Sequence, residues 1–546
     1  MNKVVIIFCS VFLVNFSFAQ NNRGSSLNKD LTITKERNIE LPEVNRNYEK
    51  VTYDVPQSEV TPQQYEYVEV PGEMARLDMK IRVRTLNPDE LSKIYGNYIK
   101  AGFGNYMTPY LEGHFNSKRN DKYSYGIHLR HLSSSRGPVE YARTGVNNLG
   151  VYGRYFLNKV TVDGDLSWQR QRFNYYGFDH SVVPEIDEDT IKLVYNLIKA
   201  GLKFTNADSD AQVNYKVGLN YFNLGNNADS RENEFLIDYA GGYRMDNEKN
   251  VRISGEYSFS SRNYNENFSR HFFQIRPSLV LSRENYRITA GATVAYTTDT
   301  TFNSGLHVYP ILRGDYFLIP DQLMIFAGLG GEMQRNTWRT FMSQNPWLLN
   351  GVALSNTNKM LDLYAGLQGN TLERLTYKAR LAYETYRYLP FFVNAASDTS
   401  AFDIIYDSGQ ASILNFYAAF AYEFTQKFRL GLDANLYSYG LSNMIAAPWH
   451  RPSFDMAVLG SYNLHKKIYF NVDIFYISGL KGRNPVSGET EKLKDIFDLN
   501  LKLEYRFSNP FSAFVQLNNI LGKNYQRYMY YPVKGTNVIV GVSYTF

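Results

Sequence analysis

Thiols are almost missing from this chain. Its one cysteine, Cys9, falls inside an N-terminal apolar stretch, too early for a lipoprotein cleavage site. The rest therefore offers no disulfide, thiolate metal ligand or cysteine nucleophile. Long apolar runs are missing too. After the first stretch none reaches ~18 residues, which excludes membrane-spanning helices. Net charge is small: 58 Lys and Arg against 53 Asp and Glu leave +5, dispersed along the chain, which points to no nucleic-acid partner. No segment gathers a Ser/His/Asp set or paired carboxylates in one loop, so neither an enzyme nor a cofactor is expected. His128 and His131 are spaced H-x-x-H, but on a strand that spacing puts them on opposite faces, poor geometry for one metal ion. The run Glu185-Ile186-Asp187-Glu188-Asp189 offers oxygen ligands for a cation, although a solvated loop explains it equally.

What the chain has in quantity is tyrosine (45), aromatic residues generally (15 %) and glycine (38), at a mean hydropathy of −0.38. Such a composition suits strands that are apolar on one face and polar on the other, with aromatics at two interfaces. Residues 1–19 read as a secretory leader: Lys3, an apolar stretch from Val4 to Val14, and small residues at Ser17 and Ala19, with cleavage expected before Gln20. Residues 20–94 are rich in Lys, Glu and Asn, carry Pro42, Pro56, Pro62 and Pro71, and read as a mostly irregular periplasmic extension. One helix start is predicted near its end, with Asn87 as N-cap, Pro88 at the first helical position and Asp89 and Glu90 in the first turn.

From residue 95 to 546 the period is two. In Leu375 to Glu384 the odd positions are mostly apolar, while Lys378, Arg380 and Glu384 share the other face. In Phe497 to Phe507 the apolar face carries Leu499, Leu501, Leu503 and Tyr505, and the polar face Asp498, Lys502, Glu504 and Arg506. The prediction is an all-β fold, a single transmembrane antiparallel barrel of about 22 strands. These seven charges would then line the lumen. Links alternate between short, such as Asp246-Asn247-Glu248, and long, near 133–147, 173–189, 338–357, 389–409, 479–493 and 523–535. That alternation predicts periplasmic turns, extracellular loops and both barrel termini in the periplasm. The long segments Trp338 to Leu349 and Pro448-Trp449-His450 carry aromatics that look exposed and available to a ligand or partner, although tryptophan is also expected at membrane interfaces.

In the final strand Val538, Val540, Val542, Tyr544 and Phe546 share one face. This resembles the C-terminal strand by which the barrel-assembly machinery recognises bacterial outer-membrane proteins. The segment from Phe514 through Asn518-Asn519-Ile520-Leu521-Gly522-Lys523-Asn524-Tyr525, with Tyr531-Pro532 and the strand ending at Phe546, is similar to the barrel end of TonB-dependent receptors. About 22 strands suit that size class. The resemblance implies an outer-membrane location, lipid contact, and a transport, channel or receptor role. The chain departs from the family in one respect: residues 20–94 look too short and irregular for its plug domain, and Leu31-Thr32-Ile33-Thr34 is a weak counterpart of a TonB-contact box. Leu91 to Tyr106 resembles the start of the barrel in plugless receptor-like proteins of the Bacteroidetes. The rival reading is a non-transporting scaffold for a periplasmic or cell-surface protein complex.

Overall fold

Strands with one apolar and one polar face cannot be buried on both sides, and here they close on themselves as a ring. In a computed structural model of the chain, the structure describes residues 96–178, 186–206, 211–299, 302–320, 322–371, 374–425 and 427–546. The leader, the 20–94 extension, the Asn87 helix start, the Leu31 to Thr34 segment and Glu185 lie outside the described residues.

One 22-stranded sheet forms the barrel, each strand antiparallel to its neighbours. The first strand, Tyr98–Gly104, pairs with the second, Thr108–Asn116, and also with the last, Asn537–Thr545, in registers Tyr98↔His114 and Tyr98↔Thr545. No edge is left open, so every backbone ladder is satisfied within the ring. The alternation reaches the surface as expected for such a wall. In the last strand Val542 is 58 % exposed on the outside and Ile539 is 2 % exposed on the inside. In Leu375–Arg387, Leu381 and Tyr383 face out while Ala382, Glu384 and Tyr386 are buried.

Long and short links sit at opposite ends. Those at 135–143, 175–191, 335–356, 388–410, 441–453, 479–495 and 519–536 share one end. Two of them carry hairpins outside the ring: Leu389–Asn394 with Phe402–Asp407, and Lys481–Arg483 with Thr490–Lys492. A third contains a short helix, α1 (Trp338–Gln344), where the sequence suggests only loop. Thr337 starts it: its side chain accepts from the Thr340 N–H, and the Thr340 hydroxyl accepts from the Thr337 N–H, a reciprocal cap without the usual acid.

Candidate functional site: the capped mouth and the lumen wall

Connecting loops are ordinarily solvated, because their backbone groups need water or partners. Here the long links bury one another instead. Trp338, Phe341, Leu348 and Phe402 are fully buried in one apolar cluster with Leu193, Tyr195, Leu224, Tyr528 and Tyr531. Trp347 marks the centre. Its ring stacks on Tyr531 at 3.9 Å between centroids and meets Tyr176 edge-on at 6.0 Å, while its indole N–H donates to the Asn174 carbonyl at 3.0 Å. Links 175–191, 335–356 and 519–536 leave the ring after its fifth, thirteenth and twenty-first strands. They depart eight, eight and six strands apart and still meet, so the junction spans the mouth.

Hydrogen bonds from tyrosines tie these links to one another, to the adjoining strand and to link 388–410. Tyr175 donates to the Leu348 carbonyl at 2.9 Å, Tyr195 to Pro346 at 2.7 Å, Tyr528 to Gln344 at 2.7 Å, and Tyr531 to Ser400. Burial pushes the Tyr531 and Tyr175 phenols above their ordinary range, which keeps them neutral donors. The link 388–410 joins through backbone exchange, Phe402 N–H to the Trp347 carbonyl and Leu349 N–H to the Phe402 carbonyl, both 2.8 Å.

His450 makes a second junction. Its Nδ1–H donates to the Phe392 carbonyl at 2.8 Å, and its Nε2 accepts the Met529 N–H at 3.1 Å. Its backbone N–H donates to the Lys481 carbonyl at 2.7 Å, and its carbonyl accepts from Arg527 at 2.7 Å. One residue thus holds four long links together. Burial and the neighbouring Arg527 cation outweigh the Phe392 bond and hold its imidazole down at about 4. Pro448-Trp449-His450 and Trp338 to Phe341 are therefore packed interior rather than the exposed aromatics their sequence suggests.

Charge anchors the cap to the wall. Both oxygens of Glu232 accept backbone N–H groups at the start of α1, from Trp338 at 2.9 Å and Arg339 at 2.8 Å. Glu234, two residues along the same strand and 1 % exposed at its side chain, pairs with Arg335 and with Arg339, the latter at 2.8 Å. Arg339 also lies 3.9 Å over the Phe222 ring. None of these four residues stood out in the sequence. Their signals were two acids at strand spacing and two arginines at helix spacing, about a hundred residues apart.

The seven lumen charges read from the sequence fall into two sectors. On Leu375–Arg387, Arg380 pairs with Asp362 at 2.6 Å, and Glu384 meets Lys359 at 3.4 Å and Arg380 at 3.8 Å. Lys359 also lies 3.8 Å from Glu332, which Arg276 holds at 3.0 Å. Lys378 approaches the Phe326 ring at 6.0 Å, and Arg313 lies over the same ring at 5.0 Å. Five ring strands further on, in Ile496–Arg506, Asp498 accepts from Tyr525 at 2.8 Å, Glu504 pairs with Lys100 at 3.2 Å, and Arg506 lies 5.2 Å over Tyr469. Lys502 stands opposite Gln516 and Asn471, and no ion pair reaches it among the described residues. Neighbours the sequence did not single out, Lys359, Asp362, Glu332 and Lys100, complete these networks.

The remaining candidates are occupied. His128 faces inward and stacks near His114 at 5.9 Å, while His131 shares a 2.7 Å contact with Asn147. Glu188 pairs with Arg143 at 2.8 Å and Asp189 with Lys192 at 3.1 Å.

No protein-family model matches the chain, and no curated protein matches it. Among solved structures the chain is similar to the ferric-catecholate import receptor Fiu of Escherichia coli K12 in its closed form. Identity there is 10 %, covering 83 % of this chain and 82 % of that one, with a TM-score of 0.63. It is similar to the FrpB iron transporter of Neisseria meningitidis at 9 % identity, 84 % and 82 % coverage and a TM-score of 0.66. The siderophore receptor PirA of Acinetobacter baumannii matches at 11 %, 82 % and 80 %, with a TM-score of 0.62. At these identities the likeness is one of fold: the chain has the 22-stranded barrel fold of TonB-dependent siderophore receptors.

Proposed function

We propose that this protein is an outer-membrane receptor or transporter whose mouth is gated by its own loops, with the long links at the cell surface and the short turns in the periplasm. The carrying observation is the Trp347 junction, where three links from separated sectors of the ring meet. A ring of 22 strands is wide enough to hold a plugged lumen. A permanently open pore would have no use for a buried aromatic core joining its long links, whereas a gate made of loops does. The barrel likeness to import receptors supports the same reading, as does the band of exposed Leu, Val and aromatic side chains on the outer face. The leader at 1–19 and a periplasmic segment at 20–94 belong to it.

Single-channel recording of the purified full chain tests it. The intact protein is expected to be closed. Truncating both partners of the central stack, Trp347→Ala with Tyr531→Ala, removes about 2 kcal/mol or more of packing and is expected to raise open events roughly thirtyfold. If links 335–356 and 519–536 can be shortened with no conductance at all, while a partner protein stays bound through purification, the scaffold reading replaces this one.

The outward row Val538, Val540, Val542, Tyr544 and Phe546 is read as the segment offered to the barrel-assembly machinery. The Phe546 ring lies 5.5 Å from Tyr544 and 6.2 Å from Phe115, on the lipid side and away from the cap. Phe546→Ser is expected to lower the assembled outer-membrane fraction several-fold, measured as the heat-modifiable band. Undiminished assembly in cells would remove that role.

A further inference from the structure

The outer face at the short-turn end carries a groove, and the inference drawn from it rests on the membrane reading above. Strands Ala411–Thr425, Phe428–Gly440, Phe454–Leu464 and Ile468–Ser478 leave a hollow of about 590 Å³ lined by Phe424, Thr425, Lys427, Phe428, Tyr462 and Phe470. The rings brace one another: Phe424 and Phe428 are 4.9 Å apart between centroids, and Phe428 and Tyr462 6.1 Å. Phe428 stands directly opposite Tyr462, and Tyr462 opposite Phe470, so the walls are an unbroken aromatic row across three strands.

The rim is cationic. Lys427 lines the hollow, and the adjoining turn, tied to it by the Asn463 N–H donating to the Lys427 carbonyl at 2.7 Å, carries Lys466 and Lys467. All three lysines are exposed, and no ion pair reaches any of them among the described residues. Glu423, four residues before Lys427, is taken by Arg429 at 2.8 Å, and neither turn contains an acid. Other turns differ: Glu248 is neutralised by Arg283, and Asp246 lies 3.8 Å from Lys249. Aromatic walls favour the interfacial depth of a bilayer, and unpaired cations beside it attract lipid phosphate.

We infer that this groove is a discrete site for one anionic glycerophospholipid, with an acyl chain between the rings and the phosphate against Lys427, Lys466 and Lys467. The arrangement selects net negative charge, because a choline headgroup brings its own cation to the same three lysines.

Native mass spectrometry of the delipidated full-length barrel, titrated with phosphatidylglycerol or phosphatidylcholine, tests this. One phosphatidylglycerol is expected to be retained in preference to phosphatidylcholine. Each lysine contributes about fivefold, so the Lys427→Glu, Lys466→Glu, Lys467→Glu variant is expected to bind it on the order of a hundredfold more weakly. Phe424→Ala with Tyr462→Ala is expected to weaken both lipids, and Lys159→Glu on a distant turn to weaken neither. Equal retention of the two lipids, or a triple variant that binds as the parent does, overturns the site as ordinary annular lipid. Failure of the parent to insert into liposomes would instead overturn the membrane reading on which the site depends.

Discussion

Glu234→Ala is expected to release α1 from the barrel wall. The substitution leaves Arg339, 22 % exposed at its side chain, without its carboxylate, and leaves Arg335, 14 % exposed, with Glu256 at 3.2 Å as its remaining partner. Breaking one side of a buried pair costs about 3–5 kcal/mol, because the stranded charge is worse than no charge. The barrel itself keeps its backbone ladders, so the loss should be local. Hydrogen exchange over 335–356 is the measurement: protection there should fall by two to three orders of magnitude while the ring strands stay protected. Glu234→Gln, which retains an acceptor for the Ser258 hydroxyl at 3.1 Å, should fall between the two. Unchanged exchange in both variants would mean that Glu232, Trp338 and Phe341 hold α1 without Glu234.

Acidification is expected to loosen the cap through His450. Its folded value of about 4 lies below the ordinary imidazole value of 6.5, so the released state binds the proton more readily. Above pH 6.5 the ring is neutral in both states and the cap keeps its full stability. As pH falls from 6.5 toward 4, cap stability declines by about 3 kcal/mol, and below 4 this group adds no further change. The geometry gives the reason. A proton on Nε2 would turn the acceptor of the Met529 N–H into a second donor, beside the Arg527 guanidinium. Limited proteolysis of the long links across pH 7 to 4.5 should show cleavage rising in the parent. His450→Gln should be weakened at neutral pH yet flat across that window. A parent profile as flat as the variant's would assign the low imidazole value no mechanical role.

The wall of this protein was readable from period alone. Leu375 to Glu384 and Phe497 to Arg506 both fall on ring strands with their apolar rows outward, because the wall of a closed ring has one simple requirement that repeats every second residue. Alternating link lengths likewise predicted that the long links share one end of the ring. The cap had no such signature. Its aromatic residues obey no period, its ion pairs join residues a hundred positions apart, and tryptophan near a loop invites the interfacial explanation. Trp338 and Trp449 look exposed in the sequence and are buried in the structure, because nothing local distinguishes a loop that meets water from one that meets other loops. The lumen charges were intermediate: the face of Arg380 and Glu384 was visible, but their partners Asp362 and Lys359 come from the neighbouring strand and depend on register.

Surface loops usually tolerate insertions, since little depends on their length. Links 175–191, 335–356 and 519–536 meet at Trp347 like the ribs of an arch, and that licence is withdrawn. Lengthening one rib by a few residues would carry its aromatic past the keystone and unseat the other two. Change in these loops should therefore come in matched sets, and the mouth of this barrel should drift far more slowly in length than in the identity of its exposed residues.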